Sequence, residues 1–254
     1  MLPMGDLPVN DGPDSLPNVF VHSLFRCGST YVFQAFRRLG DAYCCFQEPF
    51  HEVLEKLDHD PTALLTLDAT LAEALRHPRL ELPYFHEILA VRKQLQGMFY
   101  SQFSFAEFFP DQQGDLPPAQ IAYLRTLVTS SKTRPAMLQF CRSSGRAPAI
   151  ARALPGVHLM LYREPYGQWW SYKVNDYFDA TVGLAFGADH VPAELVALRD
   201  ILQVRIPSAR SISGEMGFEI VRMFSLHQRS VFAKAPDLLR MRSRKRLLTV
   251  MNHY

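Results

Sequence analysis

Between Val19 and Gly40 the chain reads VFVHSLFRCGSTYVFQAFRRLG. Arg26, Gly28, Ser29 and Thr30 stand where an apolar run gives way to a helical pattern, and residues of these types at this spacing suit an anion. Glycine at such a turn adopts positive φ and lets the backbone approach a ligand closely. The first amides of the following helix lack intrahelical partners and, with the helix dipole, attract negative charge. Ser29 and Thr30 add hydroxyl donors, and Arg26 adds a permanent charge on a planar fork. The pattern G-x-x-x-x-G-K-[ST] is absent, and with it the lysine that reaches between β- and γ-phosphates, so an ordinary ATP or GTP loop is disfavoured. The plain alternative is a tight strand-to-helix turn with a Ser or Thr cap and a surface arginine.

Two further groups could act at the same edge. In CFQEPFHEVL, Glu48 and His51 follow a short apolar run. A carboxylate beside a cleft can take the proton of an attacking hydroxyl. The alternatives are a surface acid before a proline-broken turn for Glu48 and a helix-start histidine for His51. In LYREPYGQWWSYK, Arg163 ends an apolar run and Ser171 lies eight residues on. An arginine at a strand end and a serine two turns into the next helix can converge on one phosphate. Trp169 and Trp170 read as packing residues. Lys132, Arg134, Arg142 and Arg146 flank another apolar run; they could face an anionic acceptor or a cofactor, with a solvated face as the default reading. SISGEMG, at 211–217, reads as a plain helix lead-in.

The elements that would hold these groups follow from the pattern of apolar runs. Short apolar runs bounded by turn signals predict a buried strand at 18–24 and further strands at 42–47, 136–141 and 157–163. Helical spacing predicts helices from Ser29 to a stop at Gly40, over 145–154, 164–178, 192–206 and 216–235. Strands alternating with helices imply βαβ units, hence an α/β fold with a parallel sheet and helices on both faces. Ligands in such sheets bind beyond the carboxyl ends of the strands, which is where Arg26, Glu48 and Arg163 fall. Residues 1–17 read as a loose lead-in to a single domain. Residues 51–132 carry patchy helical patterns and aromatic clusters, and read as a largely helical insertion.

Composition narrows the function. With 254 residues, 48% apolar content and a net charge of +2, the chain can bury a sizeable core and lacks the basic excess of a nucleic-acid binder. The stretch RMRSRKR, with five basic residues in seven, is a local exception. The four cysteines have no C-x-x-C spacing; Cys44 and Cys45 read as small buried residues, and a reduced, cytoplasmic setting fits best. The N-terminus has acids and prolines where a secretory signal needs a basic start and an apolar core. No run approaches the roughly 20 apolar residues of a membrane span. No metal-ligand cluster stands out.

The order and separation of these groups resemble sulfotransferases that use 3′-phosphoadenosine-5′-phosphosulfate (PAPS), in their carbohydrate-type and bacterial branch. FRCGSTY, residues 25–31, resembles that family's 5′-phosphosulfate loop, R-x-G-[ST]-[ST]. REPYGQWWS, residues 163–171, matches its 3′-phosphate motif, and EPFH resembles its Glu-Pro stretch. The resemblance covers 18–52 and 132–180. It implies a three-layer P-loop-type fold and a cofactor site of Arg26, Cys27, Gly28, Ser29, Thr30, Tyr31, Arg163 and Ser171. It implies transfer of a sulfuryl group, without a metal, to a hydroxyl or, second to that, an amine of a carbohydrate, lipid or small molecule, leaving 3′-phosphoadenosine-5′-phosphate (PAP). Glu48 would be the base, with His51 as second candidate, and Arg26 would stabilise the leaving charge. The family's C-terminal R-K-G-x-x-G-D-W-K loop has no counterpart. A P-loop kinase-like protein and a non-catalytic sulfotransferase-like binding protein are the rival readings.

Overall fold

The computed structural model describes residues 16–65, 80–131, 133–172 and 177–202. Four parallel strands form the sheet: β1 (Val19–Ser23), β2 (Cys44–Gln47), β3 (Ala136–Phe140) and β4 (Val157–Leu161), in the order β2-β3-β1-β4. β1 and β3 are buried along their whole length. Continuous apolar runs such as these are what a parallel strand covered on both faces requires. The register sets Val21 beside Gln139 and Gln47 beside the same residue, so Val21, Gln139 and Gln47 form one row across the sheet.

Helix α1 (Ser29–Arg37) carries the chain from β1 to β2 and lays Val32, Phe33 and Phe36 on Val19, Val21, Cys45 and Met137. Phe33 is fully buried, and truncating a core phenylalanine costs about 3–5 kcal/mol. The opposite face packs Phe20, Phe46, Leu138 and Phe140 against the middle of the chain. That region supplies the short helices α2 (His86–Ala90) and α3 (Arg92–Leu95), the longer α4 (Pro118–Ser130), and 3₁₀ turns at Glu52–Leu57 and Ser101–Phe103. Helix α5 (Ala147–Ala153) joins β3 to β4 and puts Ala149 and Ile150 on this second face. Helices α6 (Pro165–Tyr172), α7 (Tyr177–Phe186) and α8 (Ala193–Leu202) follow.

The loop after β1 therefore turns toward β2, and the loop after β3 crosses back toward β4. Adjacent strands whose connections leave for opposite sides of the sheet mark where the ligand crevice of an open α/β sheet lies, here at the carboxyl edge between β1 and β3. An apolar cluster of Leu24, Phe25, Cys27, Phe105, Phe108, Phe109 and Cys141 fastens both loops to the body of the protein.

The α/β class with a parallel sheet flanked by helices agrees with the sequence reading. Two boundaries differ. The strand expected to run to Arg163 ends at Leu161, and the helix expected over 164–178 is described as α6 and, from Tyr177, α7. The lead-in at 1–15, the expected helix at 216–235, SISGEMG and RMRSRKR lie outside the described residues. Among the described residues no helix is long and apolar enough to cross a membrane.

Candidate functional site

The loop after β1 is shaped by two positive φ angles, 62° at Arg26 and 89° at Gly28. The second is ordinary for glycine; the first is uncommon for a residue with a Cβ and persists only where surrounding contacts impose it. Gly28 caps α1, its carbonyl accepting from the Tyr31 and Val32 amides at 3.0 and 3.3 Å. Below it, the Gln168 side-chain amide donates to the Phe25 carbonyl at 2.8 Å, tying the loop to α6. Above, the half-buried Arg26 donates from Nε to Ser171 Oγ at 2.8 Å.

Arg163 joins the same place from the other side. Its guanidinium lies over Gly167, with Nε 3.4 Å from where a Cβ would stand there. Gly167 and Ser171 are four residues apart on α6 and so share a face. Arg26, Arg163 and Ser171 thus gather around one helix face beside the crevice. The α6 N-terminus is already served: the Glu164 carboxylate accepts from the Tyr166 and Gly167 amides at 2.9 and 2.8 Å. Cys27 is buried beneath the Arg163 backbone; burial pushes its thiol up to about 11, so it stays a neutral packing residue at pH 7. Ser29 and Thr30 are buried in the first turn of α1, while Tyr31 is exposed.

The acidic group has a different character. Glu48 also has a positive φ, 44°, and is buried. Its carboxylate accepts from the Tyr84 hydroxyl at 2.7 Å and pairs with the buried Arg142. Arg142 reaches Glu52 as well, at 2.6 Å, and lies over the Phe25 and Phe105 rings. Burial alone would raise the Glu48 pKa, but the Arg142 charge, helped by Tyr84, holds it below the usual carboxylate range. Burial and the same carboxylate push the Tyr84 phenol up. His51 starts the turn that carries Glu52, its Nδ1 accepting from the Val53 amide at 3.2 Å.

Cys141 links the two groups. Its sulfur is 3.3 Å from Ser29 Oγ, accepts from the Gln139 side chain at 3.2 Å, and faces Glu48. The loop after β1 and the buried acid therefore meet across the end of β3.

Arg26 and Ser171 come together, with Arg163 over Gly167 one turn before Ser171 and beside Cys27, and the surface-acid alternative for Glu48 is excluded by its burial. The helix-start reading of His51 agrees with its hydrogen bond to Val53. One reading is overturned: Arg142 and Arg146 do not form a solvated face. Both are fully buried, because acids and carbonyls from distant segments receive them. Arg146 donates to the Phe103 and Glu107 carbonyls, to Gln120 Oε1 at 3.0 Å and to the Arg142 carbonyl at 2.9 Å. Burial pulls its pKa down to about 9, still above neutral pH, so it remains charged. Arg134 does sit at the surface, paired with Asp41 at 3.2 Å, and Lys132 lies outside the described residues. Trp170 is half-exposed and edge-on to Tyr166; the Trp169 side chain is outside the described set.

Sequence reasoning missed Gln168 and Tyr84, which have no local signal, and the role of Arg142. The stretch CRSSGRAP repeats the Arg, Ser and Gly vocabulary of FRCGST at a second strand-to-helix junction, and that repetition was the available hint. No family model, curated protein or solved structure matches the chain.

Proposed function

We propose that the protein is a PAPS-dependent sulfotransferase. The observation that carries this reading is the 2.8 Å hydrogen bond from Arg26 to Ser171, which joins two motifs 145 residues apart at the carboxyl edge of a parallel sheet. A ligand with two phosphate positions suits such a place, where two arginines and a serine face one crevice. In the P-loop-type arrangement this implies, Arg26 and the first turn of α1 hold the 5′-phosphate, while Arg163 and Ser171 hold the 3′-phosphate.

PAPS would supply an activated sulfuryl group, whose transfer needs in-line placement and charge stabilisation more than covalent work by the protein. Arg26 and the α1 amides stabilise charge on the bridging oxygen as it leaves. Glu48 takes the acceptor's proton. It is ionised at neutral pH and can accept one, but its Arg142 pair makes it a weak base, below the ideal match to operating pH. The same pair gives Glu48 a second duty, holding the Arg142 loop against the end of β2. His51 remains the second candidate for the proton.

Labelled PAPS incubated with carbohydrate, lipid and small-alcohol acceptors tests the reading. Label should move to a hydroxyl-bearing acceptor, and the transfer should vanish in Arg26→Ala. Binding of ATP or GTP in preference to PAP would favour the kinase-like alternative instead.

A further inference from the structure

A second polar chain crosses the sheet beside this site. His22 on β1 is buried; its Nδ1 is 2.8 Å from Ser143 Oγ and its Nε2 is 3.0 Å from His158 Nδ1. His158, on β4, ends the chain with Nε2 3.0 Å from the Leu154 carbonyl. The carbonyl can only accept, and this sets every proton in the row. His158 carries its proton on Nε2, so its Nδ1 accepts. His22 then carries its proton on Nε2 and donates it, which leaves His22 Nδ1 to accept from the Ser143 hydroxyl. The ring planes are held nearly parallel: His158 stacks on Phe20 at 4.4 Å, His22 lies 5.4 Å from Phe140, and the two histidine rings meet edge to edge with centres 5.3 Å apart.

The two ends of this chain sit in different surroundings. His158 is half-buried on β4, where Val157 and Leu159 are exposed, so a proton from solvent can reach it. Ser143 is fully buried in the loop after β3, between Arg142 and Arg146. Its carbonyl accepts from the Arg146 amide at 3.0 Å.

We propose that Ser143, His22 and His158 form a proton-responsive positioning relay for the loop that places Arg142 on Glu48 and Glu52. This does not rest on the sulfotransferase reading. With both histidines neutral, Ser143 is held by its hydroxyl proton and the loop is fixed. When His158 gains a proton on Nδ1, His22 can no longer donate to it. His22 releases its Nε2 proton to solvent and takes one from solvent on Nδ1, so with the proton on His158 the whole chain gains a single proton and its direction reverses. Ser143 Oγ then accepts, and its own proton must find another acceptor inside the loop. The charge acting on His22 from its surroundings is that of Arg146, which opposes a second proton on the chain. Burial lowers the His158 pKa below 6.5, so the change belongs to mildly acidic conditions.

Nitrogen-15 NMR of the histidine and arginine side chains tests this on the full chain. At pH 7.5 both histidines should show the Nε2–H tautomer. On acidification His22 should switch to Nδ1–H, and the Arg142 Nε–H signal should move with the His158 midpoint. His158→Asn keeps an acceptor oxygen near the Nδ1 position but does not titrate, so the Arg142 shift at that midpoint should be lost. Ser143→Ala should leave the His158 titration in place and uncouple Arg142 from it, which keeps the test decisive if the Asn variant fails to fold. A neutral His22 with its proton on Nδ1 would overturn the proposal. So would an Arg142 signal that still follows the His158 midpoint in Ser143→Ala.

Discussion

The loops after β1 and β3 use nearly the same residues, FRCGST and CRSSGR, at neighbouring strand ends, yet they aim their arginines in opposite directions. Arg26 turns outward, half-buried, to a serine hydroxyl at the crevice. Arg142 and Arg146 turn inward and are buried. What differs is the partner. The inward pair meets Glu48, Glu52 and a set of carbonyls, enough to repay the loss of water; Arg26 meets the Ser171 hydroxyl on α6, at the edge of the sheet. One loop therefore keeps its arginine at the carboxyl edge of the sheet, and the other buries its arginines to fix the floor beneath it.

The sharpest way to break this comparison is to remove the inward charge. Arg142→Met leaves Glu48 and Glu52 buried without their cation and should cost about 3–5 kcal/mol in urea unfolding. Arg134→Met, at an exposed pair, should cost less than about 1 kcal/mol. Equal losses in the two variants would mean that the buried network is not a distinct floor.

The outward loop should respond in binding instead. Arg163→Ala should weaken PAP by about 2–3 kcal/mol, the value of a charge-assisted contact, while adenosine 5′-phosphosulfate, which lacks the 3′-phosphate, changes little. Isothermal titration reads both ligands, and equal losses would remove Arg163 from the 3′-phosphate.

Acid should act on the interior beside the β3 loop. Burial, then His158 and Arg146, hold His22 down to about 3, against 6.5 when unfolded. Below 6.5 the unfolded chain binds a proton that the folded chain refuses, so stability falls as pH falls toward 3 and is unaffected by this group above 6.5. At about 1.4 kcal/mol per pH unit, the loss at pH 5 is about 2 kcal/mol. Urea midpoints at pH 7.5 and 5 measure it, and His22→Phe should flatten the dependence. An unchanged slope in that variant would place the acid sensitivity elsewhere. The smaller of the two binding effects is that of Ser171→Ala, which should cost PAP about 1 kcal/mol, one neutral hydrogen bond. A loss as large as that of Arg163→Ala would show that Ser171 instead sets the Arg26 conformation.

Much of the outward loop was legible in the sequence because its signals are local. A glycine before a Ser-Thr helix start, after an apolar run, specifies strand, turn and cap within ten residues. Ser171 was legible for the same reason, as a helix position counted from Arg163. The inward loop was not. Whether Arg142 is buried depends on Glu48, 94 residues away, and the His22 relay joins residues 136 apart. No window of sequence contains such a pair, so charge in CRSSGRAP reads as surface until the sheet brings its partners in. The end of β4 was misplaced because Tyr162 and Arg163 continue an apolar run in pattern, although both are exposed.

The central claim is that Arg26, the first turn of α1, Arg163 and Ser171 form one site for a nucleotide with a 3′-phosphate. Isothermal titration of the wild-type protein with PAP, and with ATP and GTP at the same concentrations, tests it most directly. The account predicts PAP binding with Kd in the low micromolar range, about 8 kcal/mol, and markedly weaker binding of ATP and GTP. No heat with PAP, or tighter binding of ATP than of PAP, would contradict it.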